Sequence, residues 1–341
     1  MSDDRSTATP AGGGVQPAGG STASARRPGW RRPAVIVSAV LALVLLAAGI
    51  ALAVQRNAEG ARDQAIRDTA TGYLQAVADA DSRAALDRLA TQPLSKDLLT
   101  DDVLRFSRDA GAITDIAIAG VVPRDASATV AVTYRLGGQD VSADLELVGG
   151  LTSWKVADGL SDLTVTNIVG VRVNGASVGQ PVNPVFPGTY TATPSIEQVA
   201  LDGTPTVTLP AATTPPATID VTPRLSDAGL QQARDAARAA LDACIASKVS
   251  APPGCPWQID ETGVQIAPDS VTYTLKNDPW AGYAPTLDLA TMSAKGVVHY
   301  TVDAAATITT ADRSGEVTAT LDRDTLVAVD LTTTPLAVTW S

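Results

Sequence analysis

The residues best suited to chemistry are Cys244 and Cys255, which lie in the stretch DACIASKVSAPPGCPW and are the only two cysteines of the chain. Two thiols could bind a metal, cycle between redox states or form a structural disulfide. Their spacing excludes the C-x-x-C redox motif. A structural zinc site needs about four ligands, and the chain adds only one histidine, His299. A metal site is therefore not expected.

Catalytic patterns are missing from the rest of the sequence. His299 alternates with apolar residues in KGVVHYTV, which is typical of a histidine on one face of a β-sheet. The chain has no G-x-S-x-G motif, and no lysine follows a serine at the spacing of the S-x-x-K motif. We therefore predict no catalytic residue, no cofactor and no metal site, and we do not expect an enzyme.

Two aromatic residues are candidates for binding a partner. Trp280 and Tyr283 lie in the Pro- and Gly-rich segment KNDPWAGYAP of a chain that is only 4% aromatic. Exposed aromatic rings stack on sugars or anchor partner proteins. The alternative is that both rings cover the edge of their own sheet.

The segment Ala34–Val54 contains no charged residue and predicts a transmembrane helix, because its length matches the hydrocarbon thickness of a bilayer. A buried core helix and a cleaved secretory signal are the alternatives. Four arginines precede the segment, which places the amino terminus in the cytoplasm by the positive-inside rule. Residues 1–33, rich in Gly, Ala, Ser, Thr and Pro, predict a disordered cytoplasmic tail. The chain after Val54 is then extracytoplasmic.

Export to an oxidising compartment favours the disulfide among the readings of the cysteine pair. Cys244 lies on the apolar stripe of a predicted helix, and the Pro252-Pro253-Gly254 sequence turns the chain back toward the end of that helix. We therefore predict a Cys244–Cys255 disulfide. The net charge of −11 argues against nucleic acid as a partner, because such proteins need a basic surface.

The patterns after the membrane segment predict an α+β fold. Residues 61–159 begin with two helices, the second capped by Asp81, and a third covers Asp101 to Asp109. Alternating strands follow and end in SWKV. This segment resembles the NTF2-like (cystatin-like) domains of exported bacterial proteins. Enzymes of that family use an Asp/His pair, and the segment has no histidine, so the resemblance implies a scaffold or binding domain.

Residues 160–213 predict a small β-sandwich with a tight hairpin at Asn174-Gly175. The runs VRVNGASVG and VFPGTYTAT resemble the extracellular β modules of TcaA-like proteins of Gram-positive envelopes, which serve as stalks or binding surfaces. A Pro/Thr-rich linker then leads to a distal α+β domain, residues 217–341, with the cysteine helix and further strands. Its LDACIASK and PPGCPW runs resemble the distal domain of single-pass actinobacterial membrane proteins of unassigned function.

The sequence as a whole favours a non-enzymatic, membrane-anchored binding or scaffold protein of the cell envelope. Its expected partners are the membrane, through one helix, and either cell-wall glycan or another envelope protein. A sensor or regulatory subunit of an envelope machine is the alternative function, and an envelope enzyme is the least favoured.

Overall fold

The computed structural model describes residues 33–150, 153–212, 215–310 and 313–341, with side chains at 41 and from 43 onward. The predicted tail therefore lies outside the described residues, apart from its last residue. The chain divides between Asn57 and Ala58 into two compact units. Of the first unit, the structure describes one helical segment. The four sheets of the described residues lie in the second unit.

The first helix, α1, runs from Pro33 to Ala78 and includes the whole of the predicted segment Ala34–Val54. The side chains of 34–40 and 42 lie outside the described residues. Within the described part of the chain, no helix combines the length and the apolar character that crossing a membrane requires.

Three more helices and eighteen strands follow within the part of the chain that the structure describes. The remaining helices are α2 (Ser82–Asp87), α3 (Asp101–Ala110) and α4 (Asp227–Ala246). The first nine strands are β1 (Ile113–Pro123), β2 (Ser127–Leu136), β3 (Gln139–Gly149), β4 (Trp154–Val156), β5 (Ser161–Val165), β6 (Val171–Val173), β7 (Ala176–Ser177), β8 (Val182–Val185) and β9 (Gly188–Pro194). The others are β10 (Val199–Thr204), β11 (Thr206–Leu209), β12 (Ala217–Leu225), β13 (Gln265–Ile266), β14 (Thr272–Leu275), β15 (Thr286–Asp288), β16 (Ser293–Thr309), β17 (Ser314–Asp330) and β18 (Ala337–Trp340). The α+β class predicted from the sequence is confirmed.

The amino-terminal part of the second unit packs helices on one face of the antiparallel sheet β1-β2-β3-β4. Asp81 accepts a hydrogen bond from Ala84 N and caps α2, as predicted. The core of this part is closed by Tyr73, which is fully buried and donates a hydrogen bond to the carbonyl of Gly159. The Arg62 guanidinium lies 5.3 Å from the centre of the buried Trp154 ring.

Two further four-stranded sheets form a sandwich, with strand orders β10-β12-β5-β8 and β11-β9-β6-β7. The predicted hairpin at Asn174-Gly175 is present, and both residues have positive φ. The predicted boundary at 213–217 falls immediately before β12, which pairs in parallel with β5 and antiparallel with β10. The pairing buries Ile219 and Val221 inside the sandwich, so the segment assigned to the distal domain is one of its central strands.

The sandwich and the amino-terminal helices share side chains across their boundary. Asn174, only 5% exposed, donates hydrogen bonds to the carbonyls of Val103 and Thr189 and accepts one from Thr191 N. Val103 of α3 belongs to the sandwich core, and Phe186 of the sandwich belongs to the core beneath α1. The two parts therefore have interlocking cores.

The carboxyl-terminal part packs α4 against the sheet β13-β16-β17-β18, with β14 and β15 also paired to β16. Cys244 and Cys255 form a disulfide, as predicted. The ring of Trp257 lies beside it in the core and contacts the rings of Tyr273 and Tyr300 at centroid distances of 5.4 and 5.3 Å. The disulfide therefore fixes the end of α4 over an aromatic cluster.

Replacing Cys244 by serine should lower the free energy of unfolding by about 2 to 3 kcal/mol. The bond closes a short loop, and the loss of that constraint enlarges the unfolded ensemble. Urea unfolding of the full-length protein in mild detergent measures the change, with the double variant lacking both cysteines as a control for the leftover thiol. Two reactive thiols in the unfolded, unreduced wild type would contradict the bond itself.

Asp158 should make the stability of the protein change with pH in the direction opposite to that of an exposed carboxylate with a lowered pKa. Burial raises the pKa of this half-buried carboxyl, which accepts a hydrogen bond from Glu146 N. The folded state then holds the proton more tightly than the unfolded state, so stability falls as pH rises through the interval above about 4. Asp158→Asn keeps the acceptor, so it should be more stable than wild type at pH 7 and equal to it in acid.

A matched control for this titration is Asp260, an exposed carboxylate. Hydrogen bonds from the Thr262 hydroxyl and amide lower the pKa of Asp260. Its contribution is therefore present near neutrality and lost as pH falls below about 4. Asp260→Asn should be the less stable protein at pH 7, with a difference that shrinks in acid. The same pH slope in both variants would contradict the assignment for Asp158.

Candidate binding groove

Of the two predicted partner-binding aromatics, Tyr283 lies inside the carboxyl-terminal core and Trp280 packs against it. Tyr283 is 2% exposed, and its burial raises the pKa of its hydroxyl to about 12. Trp280 is half-buried and meets Tyr283 edge to face at 5.5 Å, while Arg238 covers it at 5.8 Å. Arg234 holds the loop by donating a hydrogen bond to the Tyr283 carbonyl. Both rings therefore cover their own sheet, which is the alternative the sequence left open.

His299 lies on the exposed face of β16, as its alternating pattern predicts. Its two ring nitrogens face carboxylates of β17: Nδ1 is 3.0 Å from Asp324 and Nε2 is 3.2 Å from Asp322. The described residues hold no group of three or more His, Cys, Asp or Glu side chains that could bind a metal ion. The histidine is therefore part of a solvated polar network on the sheet.

A groove lies between α4 and the loop that joins β17 to β18. Its volume is about 1060 Å³. Helix α4 forms one wall, the β17–β18 loop forms the other, and the segment before β10 also contributes to the lining. The groove is lined by Ile196, Glu197, Gln198, Gln232, Asp235, Ala236, Ala239, Ala240, Leu331, Thr332, Thr333, Thr334, Pro335, Leu336 and Val338. None of these residues was a candidate from the sequence.

Helix α4 lines the groove with small side chains because its larger apolar stripe faces the sheet. Ala233, Ala237 and Leu241 are fully buried against the core. The neighbouring positions Ala239 and Ala240 then face the groove, where they leave space that longer side chains would fill. The helix is fixed at its start by Ser226, whose hydroxyl accepts a hydrogen bond from Gly229 N at 2.9 Å.

The opposite wall is a loop held by its own hydrogen bonds. The Asp330 carboxylate accepts from both the amide and the hydroxyl of Thr332, and the hydroxyl's hydrogen bond lowers the pKa of Asp330. Thr333 closes the loop by accepting from Ala337 N at 2.9 Å. Because these bonds are internal to the loop, its wall is formed before any ligand arrives.

The groove is apolar at its base and acidic at its rim. Ile196, Leu331 and Leu336 supply apolar surface, and the only charged lining residues among those described are Glu197 and Asp235. A ligand that fits is elongated, has an apolar side and carries positive charge, because burial of apolar area and opposite charge both favour binding.

A second, smaller cavity of about 390 Å³ lies between α3 and the Asn174-Gly175 turn. Phe106 lines it with 57% of its surface exposed, and Asp97, Asp102 and Asp109 surround it. Arg105 occupies part of this cavity and pairs with Asp102. The larger groove therefore offers more contact surface to a ligand.

One pattern in the sequence could have indicated the helical wall of the groove. Gln232, Asp235, Ala236 and Ala239 recur at helical spacing beside the buried stripe, so α4 has two adjacent faces of small or polar residues. The second wall could not be predicted in this way, because it comes from a Thr-rich loop far along the chain.

Compared with protein families, with curated proteins and with solved structures, the chain matches none.

Proposed function

We propose that the chain is a membrane-anchored binding protein of the cell envelope, with its ligand held in the groove between α4 and the β17–β18 loop. In this proposal the protein is not an enzyme. The observation that carries it is the groove itself: about 1060 Å³ with an apolar base, on a part of the protein stabilised by a disulfide. Pre-formed concave surfaces with a few polar groups are where proteins hold ligands.

The proposed location rests on the sequence between Ala34 and Val54. No charged residue interrupts this helical segment. Its described leucines are outward-facing, for example Leu43 at 70% and Leu46 at 66% exposure. A bilayer is the environment in which such a surface is stable, and the preceding arginines favour a cytoplasmic amino terminus. The disulfide is consistent with an extracytoplasmic compartment.

The proposed ligand is a segment of another envelope protein that presents an apolar side and a basic group. The carboxylates of Glu197 and Asp235 supply the complementary charge at the rim. A neutral cell-wall glycan gains nothing from that charge, so it is the less favoured ligand. Binding through these groups should weaken with added salt.

The test compares two alanines of α4 that are both exposed and differ in one respect. Ala239 lines the groove, whereas Ala243, one turn later, does not. A photoreactive amino acid placed at position 239 of the full-length protein in intact cells should give a crosslinked protein adduct, and the same amino acid at 243 should not. Glu197→Gln combined with Asp235→Asn should reduce the adduct severalfold.

Two outcomes would contradict the proposal. Equal adducts from positions 239 and 243, or none from either, would remove the groove as the ligand site.

Proteinase added to intact cells should also degrade the chain after about Arg56, and protection of that part would contradict the extracytoplasmic location.

A further inference from the structure

Along most of its length, one edge of strand β17 is not covered by any other strand that the structure describes. It pairs with β16 without interruption from Ser314 to Asp330. On its other side, β18 pairs only with Val327–Asp330. The backbone of Leu326 exchanges two hydrogen bonds with Ser341, and before that point no described residue bonds to this edge. The segment 314–324 is therefore an open strand edge.

The pattern of the ladder identifies which groups point outward. In an antiparallel sheet, successive residues of a strand direct their backbone N–H and C=O groups toward opposite edges of that strand. Leu326 bonds outward to Ser341, so the residues at even positions before it also direct their N–H and C=O groups away from β16. These residues are Glu316, Thr318, Thr320, Asp322 and Asp324. They present a row of unpaired donors and acceptors.

The side chains along this edge differ between the two faces of the sheet. Glu316, Asp322 and Asp324 all project on the solvent face. The other face carries Val317, which is 42% exposed, and the half-buried Leu321. An added strand would cover these two apolar side chains with its own and would lie beside the three carboxylates.

Most of the usual protections of an exposed edge are missing from this segment. Proteins block open edges with lysine, proline, bulges or very short strands. The segment SGEVTATLDRD has neither lysine nor proline, and its pairing with β16 is regular. Arg323 is the one basic residue of the segment and lies on the same face as Val317 and Leu321. Glu316, Asp322 and Asp324 still give the segment a net negative charge, which repels a second acidic strand and attracts a basic one.

We propose that the edge of β17 at 314–324 binds an extended segment of a partner protein by strand addition, and that this segment carries Lys or Arg at alternate positions. Backbone hydrogen bonds would join it to the even-numbered residues. Its basic side chains would lie next to Asp322 and Asp324, and its apolar side chains would cover Val317 and Leu321. This surface is distinct from the groove and does not depend on it.

The test uses the full-length protein in nonionic detergent and a synthetic nine-residue peptide of alternating lysine and valine. Thr320→Pro removes one outward N–H without removing a bond to β16. Thr320→Val keeps that N–H and loses the same hydroxyl, whose bond to Asp303 is 2.7 Å. We expect the proline variant to bind the peptide at least tenfold more weakly than wild type, and the valine variant to bind as wild type does.

Two further measurements do not depend on the folding of the proline variant. A peptide with alternate backbone nitrogens methylated should not bind wild type, and a peptide with glutamate in place of lysine should not bind either. Equal binding of the methylated peptide, or no binding of the lysine peptide, would overturn the proposal. Self-association of the protein that Thr320→Pro abolishes would also overturn it, since the occupant would then be a second copy.

Discussion

Replacing Asn174 by alanine should destabilise the protein by about 3 to 5 kcal/mol, because one buried side chain satisfies three backbone groups. Its amide donates to the carbonyls of Val103 and Thr189, and its oxygen accepts from Thr191 N at 2.8 Å. Each buried group left without a partner costs about 1 to 3 kcal/mol. Asn174 also has φ of 47°, a conformation that costs alanine about 1 to 2 kcal/mol more than glycine.

Two other variants separate these causes. Asn174→Gly relieves the backbone conformation and should be less damaging than alanine by about 1 to 2 kcal/mol. Asn277→Ala removes a half-exposed asparagine that also makes two backbone hydrogen bonds, to His299 O and Thr301 N. It should cost about 1 kcal/mol, since water replaces the lost partners. Urea unfolding of the full-length proteins measures all three, and equal losses at 174 and 277 would contradict the argument from burial.

Replacing Gly229 by alanine should lower the free energy of unfolding by about 1 to 3 kcal/mol. A Cβ atom at this position would lie 2.1 Å from the carbonyl oxygen of Gln198, which is backbone and cannot rotate away. That oxygen already accepts a hydrogen bond from Ser226 N at the start of α4. The helix must therefore shift, and overpacking of this kind costs about 1 to 3 kcal/mol, occasionally more.

The matched control is Gly60→Ala in α1. Nothing lies within 4 Å of a Cβ atom at Gly60, so alanine should only improve helix propensity and stabilise the protein by about 0.5 to 1 kcal/mol. Opposite signs for the two substitutions are the expected result in thermal unfolding. A shift of α4 also moves one wall of the groove, so crosslinking from position 239 should fall in Gly229→Ala. Equal stability of Gly229→Ala and wild type would contradict this prediction, because it would show that the backbone of Gln198 moves at little cost.

The parts of the fold that local patterns determine were predictable from the sequence. The helix α4 follows from its apolar stripe, and the tight turn follows from Asn174-Gly175, where only a few residue types accept positive φ. The Cys244–Cys255 bond follows from the turn that ends the helix. In each case the deciding residues are near one another in the chain.

The parts that depend on distant pairings were not predictable from the sequence. β12 pairs with β5, and nothing local distinguishes a central strand of the sandwich from a linker with threonines and prolines. Tyr283 could be assigned to a core only after α4 was placed over it. The groove joins alanines of α4 to the β17–β18 loop, and such small side chains carry no sequence signature of binding.

The interlocking of the cores limits how the protein can be dissected. A fragment ending at residue 213, which the sequence suggests as a module boundary, would lack β12 and expose Leu163 and Val165 of the remaining sheet. A fragment ending at 159 would lack Phe186, whose ring lies 6.4 Å from that of Tyr73. Each cut would therefore expose apolar side chains that are buried in the intact protein. A deletion designed to remove one module would therefore also unfold the neighbouring module. Only point substitutions at exposed positions can assign activities to the separate surfaces of the protein.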